Sequence, residues 1–492
     1  MSKTSFLDRA ADFLATLDPS SVHEEAIAAA HDALVDYLGV ALGGASEPVA
    51  DKVFAWASER SFGATASVLR RNTKLDVENA ALCNAVAGHA LDFDDTSWRT
   101  IGHPTTVVAP AALAVGESIG ASGRDVLVAY LAGVEVAHRL ADLSMPNASE
   151  NGWHTTAIFY TLGAAAAACV LLGLDEDQIV NALSLAVSRS SGVRANFGTP
   201  AKSYHAGMAA RNGLEAVSLA RAGLTSSEKA VDGTDGFLRC FAGTGPYEWA
   251  SSARIAFGEP YDLVARGVAF KRFPCCSGSH PACDLILDMA EEHDIQPSDV
   301  VSVDVGVSLL AERELVCHAP KTLVEARFSL EFVVAAALAR RAITLDTFRP
   351  DVLSDPDIRR LMSCVHMKLD DELVQLGFIG TAPAKIKIAI KDGRVLEGSR
   401  DIAVGNPERP FSKENVAEKF LMCARRGMDE ASAIRAFKLV SNLASWENVA
   451  TGLAEISECS EAGRASGCML SVKPCVKLGS PNATDQTEQT FN

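Results

Sequence analysis

The fold class predicted for this chain is mainly α: one large helical domain interrupted by a smaller α+β domain. Three observations predict it. Apolar residues recur at helical spacing from the N-terminus to about residue 265. Alternating, strand-like runs then appear between residues 266 and 404. Helical periodicity returns after residue 405, so the last helices can pack back on the first bundle and make that domain discontinuous.

In chain order, Ala, Leu and Val keep 3.6-type spacing in 24–42, 77–90, 107–119, 125–140, 155–172, 176–190 and 206–222. Glycines at 43–44, 120, 173 and 223 stand just past these runs, where C-terminal caps belong. The high alanine content lets such helices approach closely. Val300 to Val307 (VVSVDVGV) alternates as a half-buried strand. KIKIAIK at 385–391, the Asp392-Gly393 pair and a further run at 394–397 predict a hairpin. A helix is expected over 328–341 with Ser329 as its cap, and others over 415–426 and 429–443. The expected division is 1–265 and 405–458 for the helical domain, 266–404 for the inserted domain, and 459–492 for a disordered tail rich in Ser, Gly, Asn, Thr and Gln.

Composition fixes a class and excludes others. With 48% apolar and 22% charged residues, the 492-residue chain reads as globular. Its richest apolar stretch, 164–174, is too short to span a bilayer, and the N-terminus lacks the apolar core of a signal peptide. The cytoplasm is the expected compartment. A net charge of −17 argues against nucleic acid and anionic membranes as partners, though a pocket on an acidic protein can still be locally cationic. Twelve scattered cysteines without a paired framework are expected to be reduced thiols.

The chemistry concentrates at HALDFDDTSWRTIGHPTTVVAP, residues 89–110, where Asp92, Asp94, Asp95, Thr96 and His103 stand between apolar segments built for burial. Buried ionised groups cost several kcal/mol each unless paired, so this is a polar network or an acid–base site. If ALDFDDT is helical, Asp92 and Thr96 share a face. Pro104 disfavours helix at His103, which places that imidazole on a loop facing the carboxylates. Asn151-Gly152-Trp153-His154 presents another histidine at a helix start. Lys202 follows a Gly/Pro loop, where it can clamp a carboxylate or, more ordinarily, face solvent. His280 opens a helix beside Cys275, Cys276 and Cys283; adjacent cysteines do not readily share one tetrahedral ion, so a metal is not expected. Arg189 and Arg194 add cationic character or lie on a surface loop, and His89, His138 and His205 read as satisfied core histidines. The nucleotide, nicotinamide, serine-hydrolase and zincin signatures are absent from the sequence. Cofactor-free proton transfer is the chemistry that this set of side chains suits.

In order along the chain, LDFDDT and GHP (91–104), NGWH (151–154), the NFGTxxK loop (196–202), AARNG (209–213) and PCC…HP (274–281) resemble the landmarks of the MmgE/PrpD family. The resemblance runs from about residue 5 to residue 455. It implies an α+β lid domain inserted in a helical domain, a homodimer, and activity without a cofactor or metal on small di- and tricarboxylates. Known activities are 2-methylcitrate dehydration, cis-aconitate decarboxylation and iminodisuccinate epimerisation. By similarity, His103, Asp92, Lys202 and His154 would be catalytic, with Thr96 and His280 binding substrate. One departure is Ala206, where fungal decarboxylase members carry a histidine before the glycine of GxAARNG; His205 stands one position earlier. Decarboxylation of a cis-aconitate-like acid is the favoured reaction. Dehydration, epimerisation and a catalytically silent binding protein are the alternatives.

Overall fold

The computed structural model describes residues 5–243, 255–377 and 380–465. All seven predicted helices of the first segment form, as Glu24–Gly44, Val77–His89, Thr105–Ile119, Gly123–Ser144, Thr155–Leu171, Glu176–Arg189 and Ala201–Arg221. Their starts follow local chemistry: Asp76 accepts from the Asn79 amide, while Ser122 and Asp175 close reciprocal capping boxes. Gly120, Gly173 and Gly223 take left-handed backbone beyond three of the ends, as expected. Gly43 and Gly44 do not, because the first of these helices runs through them.

Small residues set how closely these helices pack. A Cβ on Gly133 would lie 2.4 Å from the Gly163 carbonyl, so the Gly123–Ser144 and Thr155–Leu171 helices meet backbone to backbone. One apolar core gathers buried residues from Phe6 to Val268 and again from Phe420 to Cys459. The second stretch comes from the Lys413–Ala424, Glu430–Val440 and Val449–Ala465 helices. Lys413–Ala424 packs on Glu24–Gly44, where Lys419 pairs with buried Asp36 at 2.7 Å. Glu24–Gly44 is long and apolar enough to cross a membrane, yet it is mostly buried inside this core. A separate core runs from Phe273 to Ile390.

That second core holds a four-stranded sheet in the order Val365–Leu369, Val300–Val307, Ala384–Ile390, Val395–Arg400. The first pair is parallel and the others antiparallel. The Asp392-Gly393 hairpin forms as predicted, with Gly393 at φ 91°. His280–Glu292 and Leu330–Arg340 pack against the sheet, the latter capped by Ser329. The described residues are thus mainly α, with two large cores.

The structure corrects three expectations. ALDFDDT is not helical: the preceding helix ends at His89, and Asp92 adopts a left-handed φ of 50°. The last helix continues to Ala465 with Cys459 and Ser460 buried, so the expected tail does not begin at 459; residues 466–492 lie outside the described set. A short ribbon, Ala66–Val68 with Thr73–Leu75, and the parallel strand Val365–Leu369 were not predicted.

Candidate active site

Loss of the helix at residue 90 is what builds the site. The chain from Ala90 to Pro104 crosses the end of the helical core as a loop, held by two backbone hydrogen bonds between Thr96 and Ala269 (2.9 and 2.8 Å). His103 N donates to Thr156 Oγ1 at 3.0 Å, and Thr155 Oγ1 donates to the Ile101 carbonyl. These contacts dock the GHP turn on the start of the Thr155–Leu171 helix, beside its N-terminal neighbour His154. A Cβ on Gly102 would lie 3.0 Å from the Thr156 nitrogen, so this approach leaves little room for a side chain.

Asp92, Thr96, His103, His154 and Lys202 line one cavity. It is a narrow slot of about 340 Å³. Larger clefts exist, one of about 1830 Å³ beside Trp446 and Asn448, but the slot is where buried acid–base groups converge. His280 is not on its wall. It turns back to the Cys275 carbonyl (3.2 Å) and packs edge-on against Phe273. Its proposed substrate contact is therefore absent from this arrangement, because the helix start that it opens points it inward.

Lys202 and Lys271 grip Asp92 from two sides. Lys202 Nζ donates to Oδ1 at 2.6 Å, and Lys271 Nζ donates to Oδ2 and to the Asp92 carbonyl, each at 2.9 Å. The left-handed backbone at Asp92 accompanies this double presentation of carbonyl and carboxylate. Burial alone would raise the Asp92 carboxyl; the two ammonium groups outweigh it and hold it well below the usual range. Burial would depress Lys271, and Asp92 reverses that and raises it. Lys202 also donates to His89 Nε2 at 2.9 Å and lies between the rings of Phe197 and Phe328, 5.4 and 5.3 Å from their centres. An ammonium has three N–H groups, so each lysine retains one beyond these two bonds.

The imidazoles are held neutral. Burial depresses His103 and His154 well below the usual histidine range; Asp94 opposes this at His103, and the Lys202 ammonium adds to it at both. His103 Nδ1 meets the Asp95 carbonyl at 2.8 Å. A carbonyl only accepts, so Nδ1 carries the hydrogen and Nε2 is left with a lone pair. His154 Nδ1 meets His205 Nδ1 at 3.0 Å, while its buried Nε2 has no protein partner. His89 and His205, expected as core residues, thus belong to the network around the cavity; His138 is a core residue. Asp94 accepts from His89 Nδ1 at 2.8 Å and lies 3.3 Å from His103 Nδ1. Asp95 bonds the Thr105 hydroxyl at 2.5 Å, and burial pushes its carboxyl up to about 8.

Among the described residues, His89, Asp94 and His103 are the one group with metal-ligand spacing, their nearest donor atoms lying within 4.8 Å of one another. The donor set fits a dication poorly: the carboxylate already accepts from His89, and the Lys202 ammonium stands 2.9 Å from that same ring. Arg189 pairs with Glu215 away from the cavity.

Sequence reasoning missed Lys271 and Glu314, both on the cavity wall. Lys271 sits in FKRFP and Glu314 in AERE, patterns indistinguishable from solvated charge. A hint for Lys271 was its place between Phe270 and the PCC element. One further contact joins the cores here, Thr96 Oγ1 to Ser277 Oγ at 2.9 Å, beside the paired Thr96–Ala269 backbone.

The site defines an acid–base centre with a cationic clamp, at the junction of a helical and an α+β unit. The chain matches the MmgE/PrpD N-terminal domain over residues 8–250 and the MmgE/PrpD C-terminal domain over 273–443; it belongs to that family. Its relatives include the cis-aconitate decarboxylase of Homo sapiens, 30% identical over 75% of this chain and 77% of the relative. That of Mus musculus is 31% identical over 79% and 80%. The Aspergillus terreus enzyme of the same name is 26% identical over 87% and 90%.

Proposed function

We propose that this protein is a lyase that decarboxylates a cis-aconitate-like acid without a cofactor. One observation carries the reading: Asp92 is gripped by Lys202 and Lys271 on the wall of a slot that also receives His103 and His154. Two ammonium N–H groups remain to bind substrate carboxylates, and they act where water is excluded, so their effect on developing charge is large. Asp92 is needed to keep two buried ammonium groups side by side. The bare Nε2 of His103 is an acceptor, for a hydrogen bond or a proton from the bound acid, and His154 Nε2 supplies a further polar contact. The narrowness of the slot suits a small planar acid and requires the walls to part for entry. A homodimer in the cytoplasm completes the reading, carried by family resemblance and composition.

The test is proton NMR of the purified protein with cis-aconitate, 2-methylcitrate and iminodisuccinate in deuterated water. Itaconate formed from cis-aconitate is the expected result. Water loss from methylcitrate, or solvent deuterium at a stereocentre of iminodisuccinate, would replace the decarboxylase by one of its relatives. No change with any of these or related polycarboxylates would overturn the enzyme reading.

A further inference from the structure

Facing the clamp, the second core places two further acids on the cavity wall. Cys276 and Glu314 both line it and both are buried. The Cys276 thiol donates to Glu314 Oε2 at 3.4 Å. Its position is fixed: Cys276 N donates to the Arg327 carbonyl at 2.9 Å, and the next residue, Ser277, bonds Thr96 across the cavity. Binding a polycarboxylate does not call for this pair, since an ionised carboxylate beside the clamp would repel such a substrate.

Their protonation differs from that of the imidazoles. Burial raises Glu314, against opposing effects from Cys276, Lys202, Arg194 and Lys271. Burial, then Glu314 and Asp92, raise the Cys276 thiol well above its usual range, with Lys271 opposing. The Cys276 thiol therefore keeps its proton near neutrality, and Glu314 holds its proton to higher pH than a free carboxyl does. The neutral His103 has given its one N–H to the Asp95 carbonyl and has none at Nε2 to deliver.

We propose that Cys276 delivers the proton to the substrate carbon, with Glu314 as the positioning residue that holds and restores it. This rests on the decarboxylase reading above. The bond to the leaving carboxylate breaks, carbon dioxide departs, and the electron pair stays on the substrate as an allylic carbanion. The S–H bond of Cys276 then breaks, its proton forms the new C–H bond, and its electron pair stays on sulfur beside Lys271. The Glu314 O–H returns a proton to the thiolate, and solvent reprotonates Glu314 between turnovers. Nothing is oxidised or reduced.

The test compares the full-length wild type with Cys276→Ala, Cys276→Ser and Glu314→Gln, following carbon dioxide release from cis-aconitate across pH. Both Cys276 variants are expected to lose about 10²–10⁴-fold in kcat, the range of a removed general acid, with KM nearly unchanged. The alkaline limb of the wild-type kcat profile, which reports the thiol, is expected to vanish in Cys276→Ser and to move in Glu314→Gln. A merely structural role would lower stability and leave that limb in place. If Cys276→Ala does not fold, as judged by circular dichroism, Cys276→Ser decides. Turnover within threefold of wild type with an unmoved limb overturns the proposal alone, as does thiolate absorbance from Cys276 at neutral pH. A wild type inert towards cis-aconitate defeats the decarboxylase reading and this proposal with it.

Discussion

His138 and His103 are both buried beside carboxylates in the same helical core, and they differ in what they leave unused. His138 Nδ1 meets Asp262 at 2.7 Å and its Nε2 meets the Tyr160 hydroxyl at 3.0 Å. Tyr160 bonds Thr100, and the Asp262 carboxylate also accepts from Arg266 while its backbone N–H donates to Glu135. Both nitrogens of His138 are thus occupied by protein, and the ring lies away from the cavity. His103 has one nitrogen fixed by the backbone, and it lines the slot with the other. Burial next to a carboxylate does not mark a catalytic histidine; an unmet valence facing a cavity does.

Substitutions sharpen this contrast. The largest effect is expected for His103→Ala, a loss of about 10²–10⁴-fold in kcat with the fold retained, measured by itaconate formation and circular dichroism. Retained turnover would remove His103 from the chemistry. Lys202→Met is expected to lower kcat/KM by about 10²–10³-fold, the scale of one lost electrostatic donor, because Lys271 alone then holds both Asp92 and substrate. A loss below tenfold would break the clamp. His138→Ala should reverse the pattern. Urea unfolding is expected to show about 1–3 kcal/mol of lost stability, from the groups it strands, with kcat/KM within threefold. A collapse of activity in the folded variant would make the two histidines equivalent after all.

Asp95→Asn is expected to have the smallest effect on turnover, and its signature lies in pH. The folded carboxyl titrates near 8, far above the unfolded value. Between those values the native state binds the extra proton, so its stabilising contribution is present in acid and is lost as pH rises through 8. The variant lacks this titration. Its stability relative to wild type should therefore climb from about pH 4 to about pH 8 and then level off, read from denaturation midpoints. A flat difference would show that Asp95 is ionised in the fold.

The helices were legible because burial enforces periodicity along each one: the apolar faces of residues 24–42 or 155–172 need no partner to be recognised. The turn at Asp92 was not, since its left-handed backbone accompanies lysines at 202 and 271, over a hundred residues away. Five of the six named site residues reach the cavity because loops and helix starts advertise polar groups in apolar surroundings. His280 carried the same advertisement and turned inward. Lys271 and Glu314 carried none, because an isolated charge in a polar run looks solvated until a second core covers it. His89 and His205 lie between these cases: apolar helical faces bury them, as read, but their partners are site residues.

The seam at Thr96 has one more consequence. The loop bearing Asp92 is laced to Ala269 by backbone and to Ser277 by side chain, so neither core owns the slot. Whatever parts the walls to admit substrate must also loosen that lacing, and with it the lysine grip and the approach of Cys276. On the proposed decarboxylase reading, shelter for a carbanion and exit for the product would be one movement seen in two directions. A site laced in this way would be completed by the molecule it closes on, and would lack its full set of acid–base groups while open.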